Sequence, residues 1–537
     1  MTEHRRNAGW AVLQTIAGYG VDTVFGIPGT HNLELYRHLP ALGIRAVTTR
    51  HEQGAGYAAD AWAQRRSAAG EVTPGVVITT SGPGLLNALS AGGTAFAESR
   101  PMIVLSPGVA IGDEFADRGA LHETKDQSGA AAAILLWSRR VRSAEEAVEA
   151  VHDAFALFRA GRPRPVHIEV PLDVLEAETA IDESLLAPRA LPAPAPLDES
   201  ALQAAADALS AAERPLIIAG GGAVRAGATL TALAERLGAT VLTTLNGKGA
   251  VPESHPLSLG SELRLAPAAE VVNAADAVLV VGSKLGEAEL WGNELTPTGA
   301  VIRVDIDPAQ LDKNLAATIR LEGDARATIE TLVARVEREP AEPQLATVRE
   351  SLVEAARDFA PREMAAAEAI AAGIPQGAVV SGDSSQITYY GMTSAVRQDA
   401  PASMPYMPAY ATLGYGLPAA IGAKLATPAA PVLVVTGDGA LMFSVQELVT
   451  AVEQRLDLAV VVVDNGGYGE IEQNEANRGI DPIGVRLHQP DWVALARAFG
   501  ASGMRVDSAS TVTGAVAAAI AEPGVSLVHI PLSIFGA

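Results

Sequence analysis

Asp438 and Asn465 are the residues from which a chemistry is most directly read. They stand in the stretch VLVVTGDGALMFSVQELVTAVEQRLDLAVVVVDNGGYGEIE, residues 432–472. One carboxylate and one amide oxygen make a poor cage for a bare cation. They suit Mg²⁺, which keeps several waters and completes its shell with phosphate oxygens. Gly437 and Gly439 beside the aspartate, and Gly467 and Gly469 after the asparagine, let backbone approach a phosphate closely. A helix opening at Gly439 would offer its free N–H groups to the same anion. From these residues alone two readings stand: a Mg²⁺–diphosphate site, or an ordinary acidic strand-to-helix turn, since short glycine motifs recur by chance.

The flanking sequence supplies elements that would bring the pair together. Residues 432–436 and 458–463 are continuously apolar, as strands buried on both faces are. Between them Leu441, Val445, Leu448, Val449 and Val452 fall on one face of a single expected helix. Parallel strands joined by one crossover helix carry both turns to the carboxyl edge of their sheet.

The complete pattern, Gly437-Asp438-Gly439 followed by Asp464-Asn465, resembles the signature of thiamine diphosphate enzymes. There the second motif is written Asn-Asn, so this chain departs at its first member. The resemblance implies metal ligation by Asp438, Asn465 and the Gly467 carbonyl. It also implies that Gly437, Gly439, Ala440, Tyr468 and Gly469 line the cofactor.

The chain has 537 residues, room for about three domains of roughly 150 residues each. Its 48% hydrophobic content and the recurrence of Val/Ile/Leu runs between Ala-rich stretches point to an α/β protein. Cysteine is absent, which removes disulfides and thiolate chemistry. A formal net charge of −23 argues against nucleic acid or an anionic membrane as partner. The N-terminus lacks an apolar signal core and no stretch reads as a membrane span, so a cytoplasmic location is expected.

In chain order, a first domain is expected over residues 1–175, with strands near 23–26, 45–48, 75–80, 102–106 and 165–170. Glu52 lies where a strand ends and a helix begins, a position that an acid also takes to favour the helix dipole. The order GIPGTHNLELY, RHEQGAGYAADAWA, TTSGPGLLNAL resembles the pyrimidine-binding domain of acetolactate synthase-like enzymes. The matching glutamate there bonds the aminopyrimidine and drives proton removal from the thiazolium carbon. Glu52 inherits that expectation. The polar loop 107–127 places His122 where the family carries a glutamine. A histidine there could move a proton.

The Pro- and Ala-rich stretch 176–200 is expected to be a linker with little to bury. A middle Rossmann-like domain follows over 201–335, with strands near 215–219, 240–244, 277–281 and 301–306. Some relatives hold FAD in this domain. Gly220-Gly221-Gly222 does not match the dinucleotide fingerprint, so FAD is not favoured and the domain is expected to be structural. After a polar break near 337–344 comes the third domain, 350–537, carrying the diphosphate and Mg²⁺ motifs. Ser384 and Gln386, after a strand at 378–381, are candidate diphosphate donors. Leu413 matches the apolar residue that bends the cofactor in this family. The expected architecture is thus three doubly wound parallel-sheet domains. The resemblance further implies a homodimer or homotetramer, with cofactor between the first domain of one chain and the third of another.

Thiamine diphosphate supplies a carbanion and an electron sink for loss of CO₂ from a 2-keto acid. Protonation of the product-forming carbon gives an aldehyde, and attack on a second carbonyl gives a carboligation product. The runs DNGGYGEIEQNEANRGIDPIGV, LHETKDQ and GDSSQ resemble the 2-ketoarginine (5-guanidino-2-oxopentanoate) decarboxylase subgroup. A guanidinium tail calls for an acidic partner, and Glu470, Glu123 and Asp126 are candidates, with Asp113, Glu114 and Asp117 nearby in the same loop. The alternatives are an acetolactate synthase-like carboligase and a non-catalytic regulatory paralogue.

Overall fold

Three sheets organise the chain, and every strand pairing within them is parallel. The computed structural model describes residues 6–191, 196–341 and 343–536. The first sheet comprises β1 (Thr23–Gly26), β2 (Arg45–Thr48), β3 (Gly75–Ile78), β4 (Met102–Gly108), β5 (Trp137–Arg140) and β6 (Val166–Pro171), in the order β2-β1-β3-β4-β6-β5. β1, β3, β4 and β6 are buried along their whole length, and β3 and most of β4 accordingly read as apolar runs, whereas β6 also buries His167 and Glu169. β5 is half-exposed at the sheet edge and reads Trp-Ser-Arg-Arg. Its polar sequence hid it. Helices Glu52–Ala69 and Pro83–Glu98 are rich in small residues because they pack closely. A Cβ on Gly56 would come within 2.3 Å of the Ala91 Cβ.

The second sheet holds β7 (Pro215–Ala219), β8 (Thr240–Thr243), β9 (Ala277–Val281), β10 (Ala300–Asp305) and β11 (Ile319–Glu322), ordered β11-β10-β9-β7-β8. Its triple glycine has a packing cause. A Cβ on Gly220 would lie 2.3 Å from the Gly282 carbonyl oxygen, and one on Gly222 would lie 2.9 Å from the Gly282 Cα. The short strand β11, with alternate residues exposed, was not anticipated from the sequence.

The third sheet holds β12 (Val379–Gly382), β13 (Val432–Gly437), β14 (Leu458–Asp464), β15 (Ser502–Arg505) and β16 (Val525–Pro531), ordered β12-β13-β14-β16-β15. Residues 403–405 lie along the outer side of β12, where Val380 and Gly382 donate their N–H groups to the Ser403 and Pro405 carbonyls at 2.9 and 3.0 Å. The chain therefore leaves β12 to one side and returns as β13 on the other. This reversal opens a crevice beyond the carboxyl ends of the two strands, where α/β sheets bind ligands.

By internal packing, the first sheet forms one compact unit together with Leu417–Ala429 and Ser444–Leu456. The second and third sheets, with Ala430–Phe443 and Asp457 onward, form another. This division corrects the single helix expected after Gly439. The helix breaks into Asp438–Leu441, in the second unit, and Glu447–Glu453, in the first. The supposed linker also needs correction. Ile181 and Leu186 are buried in the first core, His152 meets the Leu185 carbonyl at 2.8 Å, and Arg189 donates its N–H to the Tyr19 hydroxyl at 3.0 Å. Buried Ile181 and Leu186 dock the first half of this Pro- and Ala-rich stretch. Of the expected linker and the expected polar break, residues 192–195 and 342 lie outside the described residues. Among the described residues no helix is long and apolar enough to cross a membrane.

Candidate active site

The crevice at β12 and β13 is a pocket of about 280 Å³, lined by every cofactor and metal candidate drawn from residues 384–469, and by Glu470. β13 and β14 are hydrogen-bonded neighbours, with Gly437 opposite Val463. The turns that follow them consequently meet, and the Asn465 N–H donates to Asp438 Oδ1 at 3.3 Å. Asp438 is 1% exposed and its Oδ2 is buried without a partner. Burial first, and the nearby Asp464 second, push its pKa up to about 6. An ionised carboxylate in that setting calls for a cation.

The Asn465 amide bears on the same point. Its atom facing the turn is 3.0 Å from Asp438 Oδ1 and 3.0 Å from the Gly467 carbonyl oxygen. Its other atom is 3.1 Å from Gln386 Oε1. If the NH₂ faces Gln386, three oxygens converge between Asp438, Asn465 and Gly467, and a cation among them balances the repulsion. With no cation, the amide satisfies these neighbours only when turned round. Among the described residues no three His, Cys, Asp or Glu side chains cluster as a metal cage. One carboxylate with neutral oxygens instead fits Mg²⁺ that brings its own waters and phosphate. Gly467 has φ +148°, and a Cβ there would lie 2.0 Å from the Val485 carbonyl oxygen, so only glycine offers its carbonyl in this place.

The Asp464 departure has its own partner. Asp464 Oδ2 meets His529 Nε2 of β16 at 2.9 Å, and its Oδ1 accepts from the Gly466 N–H at 2.9 Å. Asp464 thus shapes the Asn465–Gly467 turn without entering the oxygen cluster.

Asp383 was not anticipated. It is fully buried, and burial pushes its pKa up to about 6. Its Oδ1 accepts the N–H groups of Ser384 and Gly414 at 2.8 and 3.0 Å, and its Oδ2 that of Gly416 at 2.8 Å. It ties the Ser384–Gln386 turn to the segment that presents Leu413. Its signal in sequence was only the first acid of GDSS, a common turn type.

In the other unit, Glu52 opens its helix, buried at 8% exposure, with Asn87 Nδ2 donating to its Oε2 at 3.0 Å. The turn before it is held by Glu447. That fully buried carboxylate accepts the Arg50 N–H at 3.0 Å, the His51 N–H at 3.1 Å and the Thr450 hydroxyl at 2.6 Å. Gly54 makes room for it, since a Cβ there would lie 2.7 Å from Glu447 Oε1.

His122 sits at φ +60°, its Nδ1 3.4 Å from Thr80 Oγ1 and its ring 5.2 Å from that of His31. His31, missed from sequence although it lies within GIPGTHNLELY, contacts Ser81 Oγ at 2.6 Å. Burial, and then His122, lower its pKa. The loop acids are engaged locally. Glu123 accepts the Arg118 and Ala120 N–H groups at 3.1 and 3.0 Å, and Asp126 caps the helix Gln127–Ala132. Asp113 pairs with Arg118, and Glu114 with Arg140.

Comparison with known proteins bears on the three domains. Residues 6–130, 202–332 and 365–530 match, in turn, the N-terminal TPP binding domain, the central domain and the C-terminal TPP binding domain of thiamine pyrophosphate enzymes. The chain is 42% identical to a probable 2-ketoarginine decarboxylase of Pseudomonas aeruginosa, over 97% of this chain and 93% of that one. It is 32% identical to a probable acetolactate synthase large subunit of Methanocaldococcus jannaschii, over 93% and 87%. To the acetolactate synthase isozyme 1 large subunit of Escherichia coli it is 30% identical, over 95% and 91%. With the matched domains spanning the three sheets, this chain belongs to the acetolactate synthase-like family of thiamine pyrophosphate (thiamine diphosphate) enzymes.

Proposed function

We propose that the 2-keto acid decarboxylated by this thiamine diphosphate enzyme is one with a cationic tail, 5-guanidino-2-oxopentanoate (2-ketoarginine), released as an aldehyde and CO₂. The observation that carries the reading is Glu470, a carboxylate in the same pocket as Asp438, Asn465 and Gly467. Among the described residues it has no ion-pair partner, whereas Glu123 and Asp126 accept local backbone N–H groups, Asp113 pairs with Arg118 of the same loop and Glu114 with Arg140 of β5. The resemblance to a probable 2-ketoarginine decarboxylase supports the same substrate.

When bound, thiamine diphosphate supplies the carbanion and the electron sink for CO₂ loss. The Asp438 carboxylate, Asn465 Oδ1 and the Gly467 carbonyl would hold Mg²⁺ and through it the diphosphate. The Ser384 hydroxyl and Gln386 amide are within the same pocket and would donate to that group. Leu413 lines the same pocket and would pack against the cofactor. Glu52 would exchange a proton at Oε1 while Asn87 fixes Oε2. His122 would protonate or deprotonate the reacting carbon's substituents. The proposal includes self-association into a dimer or tetramer, supported by the family resemblance and tested by analytical ultracentrifugation.

The substrate is tested by steady-state kinetics on a panel of 2-keto acids. The expected result is a kcat/KM for 2-ketoarginine at least tenfold above that for pyruvate, the minimum a desolvated charge pair brings. Equal turnover of pyruvate would sink the reading.

A further inference from the structure

Two consecutive tyrosines reach one carboxylate oxygen. Tyr390 donates its hydroxyl to Glu470 Oε2 at 2.7 Å, Tyr389 donates to the same atom at 3.3 Å, and Gln386 Nε2 adds a third contact at 3.2 Å. Neighbours on an α-helix diverge by about 100° and do not converge on one atom. Here Ile387–Met392 is a π-helical turn, wider than an α-turn, and such turns cluster at functional sites. The tyrosine rings stand edge to face at 4.6 Å, and Trp291 packs against both at 6.1 and 5.4 Å. Phe359 backs Tyr390 at 5.1 Å, and Arg264 lies over Trp291 at 5.3 Å. The hydroxyls are thus held by a packed aromatic wall.

The resulting carboxylate is unusual in its balance. Oε2 is saturated by three neutral donors, and among the described residues Oε1 has only the Asn474 amide at 3.3 Å. Neutral donors favour the ionised form without cancelling its charge. Burial and Glu470 together push both phenols' pKa values upward, so they stay protonated donors. A charged carboxylate with no ion-pair partner among the described residues therefore lines a pocket built for a ligand.

We propose that Tyr389 and Tyr390 act as a specificity-determining pair, holding Glu470 so that Oε1 receives the cationic tail of the 2-keto acid. The proposal rests on the cationic-substrate reading above and deepens it. The tyrosines fix where the charge sits, and so the chain length between keto carbon and cation that the pocket accepts. They are positioning residues, acting through Glu470.

The test compares 5-guanidino-2-oxopentanoate with its neutral isostere 5-ureido-2-oxopentanoate. Both are measured on the cofactor-loaded wild type and on Tyr389→Phe, Tyr390→Phe, the double variant and Glu470→Gln. Wild type is expected to favour the guanidino acid by tenfold or more. The double tyrosine variant is expected to lose roughly tenfold of that preference, the scale of hydrogen bonds to a charge. The loss falls mainly in KM for the guanidino acid, with kcat less affected, and Glu470→Gln removes the preference. Titration calorimetry with 4-guanidinobutanoate reads the same contact without turnover. If the double variant does not fold, Tyr390→Phe alone, which deletes the 2.7 Å contact, decides the matter. A wild type indifferent to the two acids overturns the substrate reading itself. A wild type that discriminates, with tyrosine variants discriminating equally well, overturns only the role of the pair.

Discussion

Asn465 donates its backbone N–H to Asp438 Oδ1 at 3.3 Å, joining the turns that follow two neighbouring parallel strands. The bond positions an aspartate whose second oxygen is buried with no partner, an arrangement costly in the protein alone and repaired by a cation. Asp438→Asn removes that buried charge. The variant is expected to be at least as heat-stable as wild type without cofactor, yet to bind thiamine diphosphate with Mg²⁺ at least about 100-fold more weakly. Differential scanning fluorimetry and calorimetry check both halves. Wild-type affinity in the variant would remove Asp438 from the metal site.

Glu52→Gln keeps size and hydrogen-bonding capacity but cannot exchange a proton. The expected loss in kcat is about 10²–10⁴-fold, the range for general acid–base groups. The far-ultraviolet circular dichroism and melting profile should be unchanged. Near-wild-type turnover would show that the residue only opens its helix.

Glu447 lies nine residues beyond Asp438 in sequence, yet its carboxylate accepts the N–H groups of Arg50 and His51, immediately before Glu52. Glu447→Ala orphans both donors and the Thr450 hydroxyl. We expect a destabilisation of about 1–3 kcal/mol per the cost of unsatisfied buried groups, read as a lower urea midpoint. We also expect a fall in kcat larger than the change in KM. Glu447→Gln, which retains one acceptor, should recover part of both. Equal midpoints for the alanine variant and wild type would contradict this role.

His167 gives a pH-dependent prediction. Its ring lies between Ser106 Oγ at 2.8 Å and Ser138 Oγ at 2.7 Å, and complete burial lowers its pKa to about 3. In the unfolded chain a histidine titrates near 6.5. Between these values the unfolded state binds a proton that the native state refuses. The stability associated with neutral His167 is therefore fully present above pH 6.5 and declines as pH falls towards 3, with a slope of about 1.4 kcal/mol per pH unit. His167→Asn should remove one proton's worth of that slope in urea titrations across this window. An unchanged slope would mean that His167 accepts its proton in the folded protein.

What the sequence disclosed follows from burial. β7, β9 and the strand ends of β13 and β14 were readable because strands covered on both faces must be apolar from end to end. β5 and β15 escaped because edge strands need no such run, and theirs read Trp-Ser-Arg-Arg and Ser-Gly-Met-Arg. The Asp438–Asn465 meeting was legible from spacing, since two crossover-linked strands leave little choice of where their turns go. The break after Leu441 was not, because tertiary pairing of Glu447 with residues 50 and 51 overrides a continuous apolar helix face. The clamp on Glu470 was equally hidden. Tyr389 and Tyr390 converge only because the turn carrying them is wider than an α-helix, and nothing in the pair Tyr-Tyr announces that. Nor does composition separate Glu470 from Glu123 and Asp126. Only the hydrogen bonds show that the loop acids already serve their own backbone.

The most direct measurement is product identification. The protein is incubated with thiamine diphosphate, Mg²⁺ and 5-guanidino-2-oxopentanoate, and the mixture is resolved by mass spectrometry with CO₂ counted in parallel. The account predicts 4-guanidinobutanal and CO₂ in equal amounts. A carboligation product joining two substrate molecules, or no consumption of the keto acid while pyruvate is consumed, would contradict it.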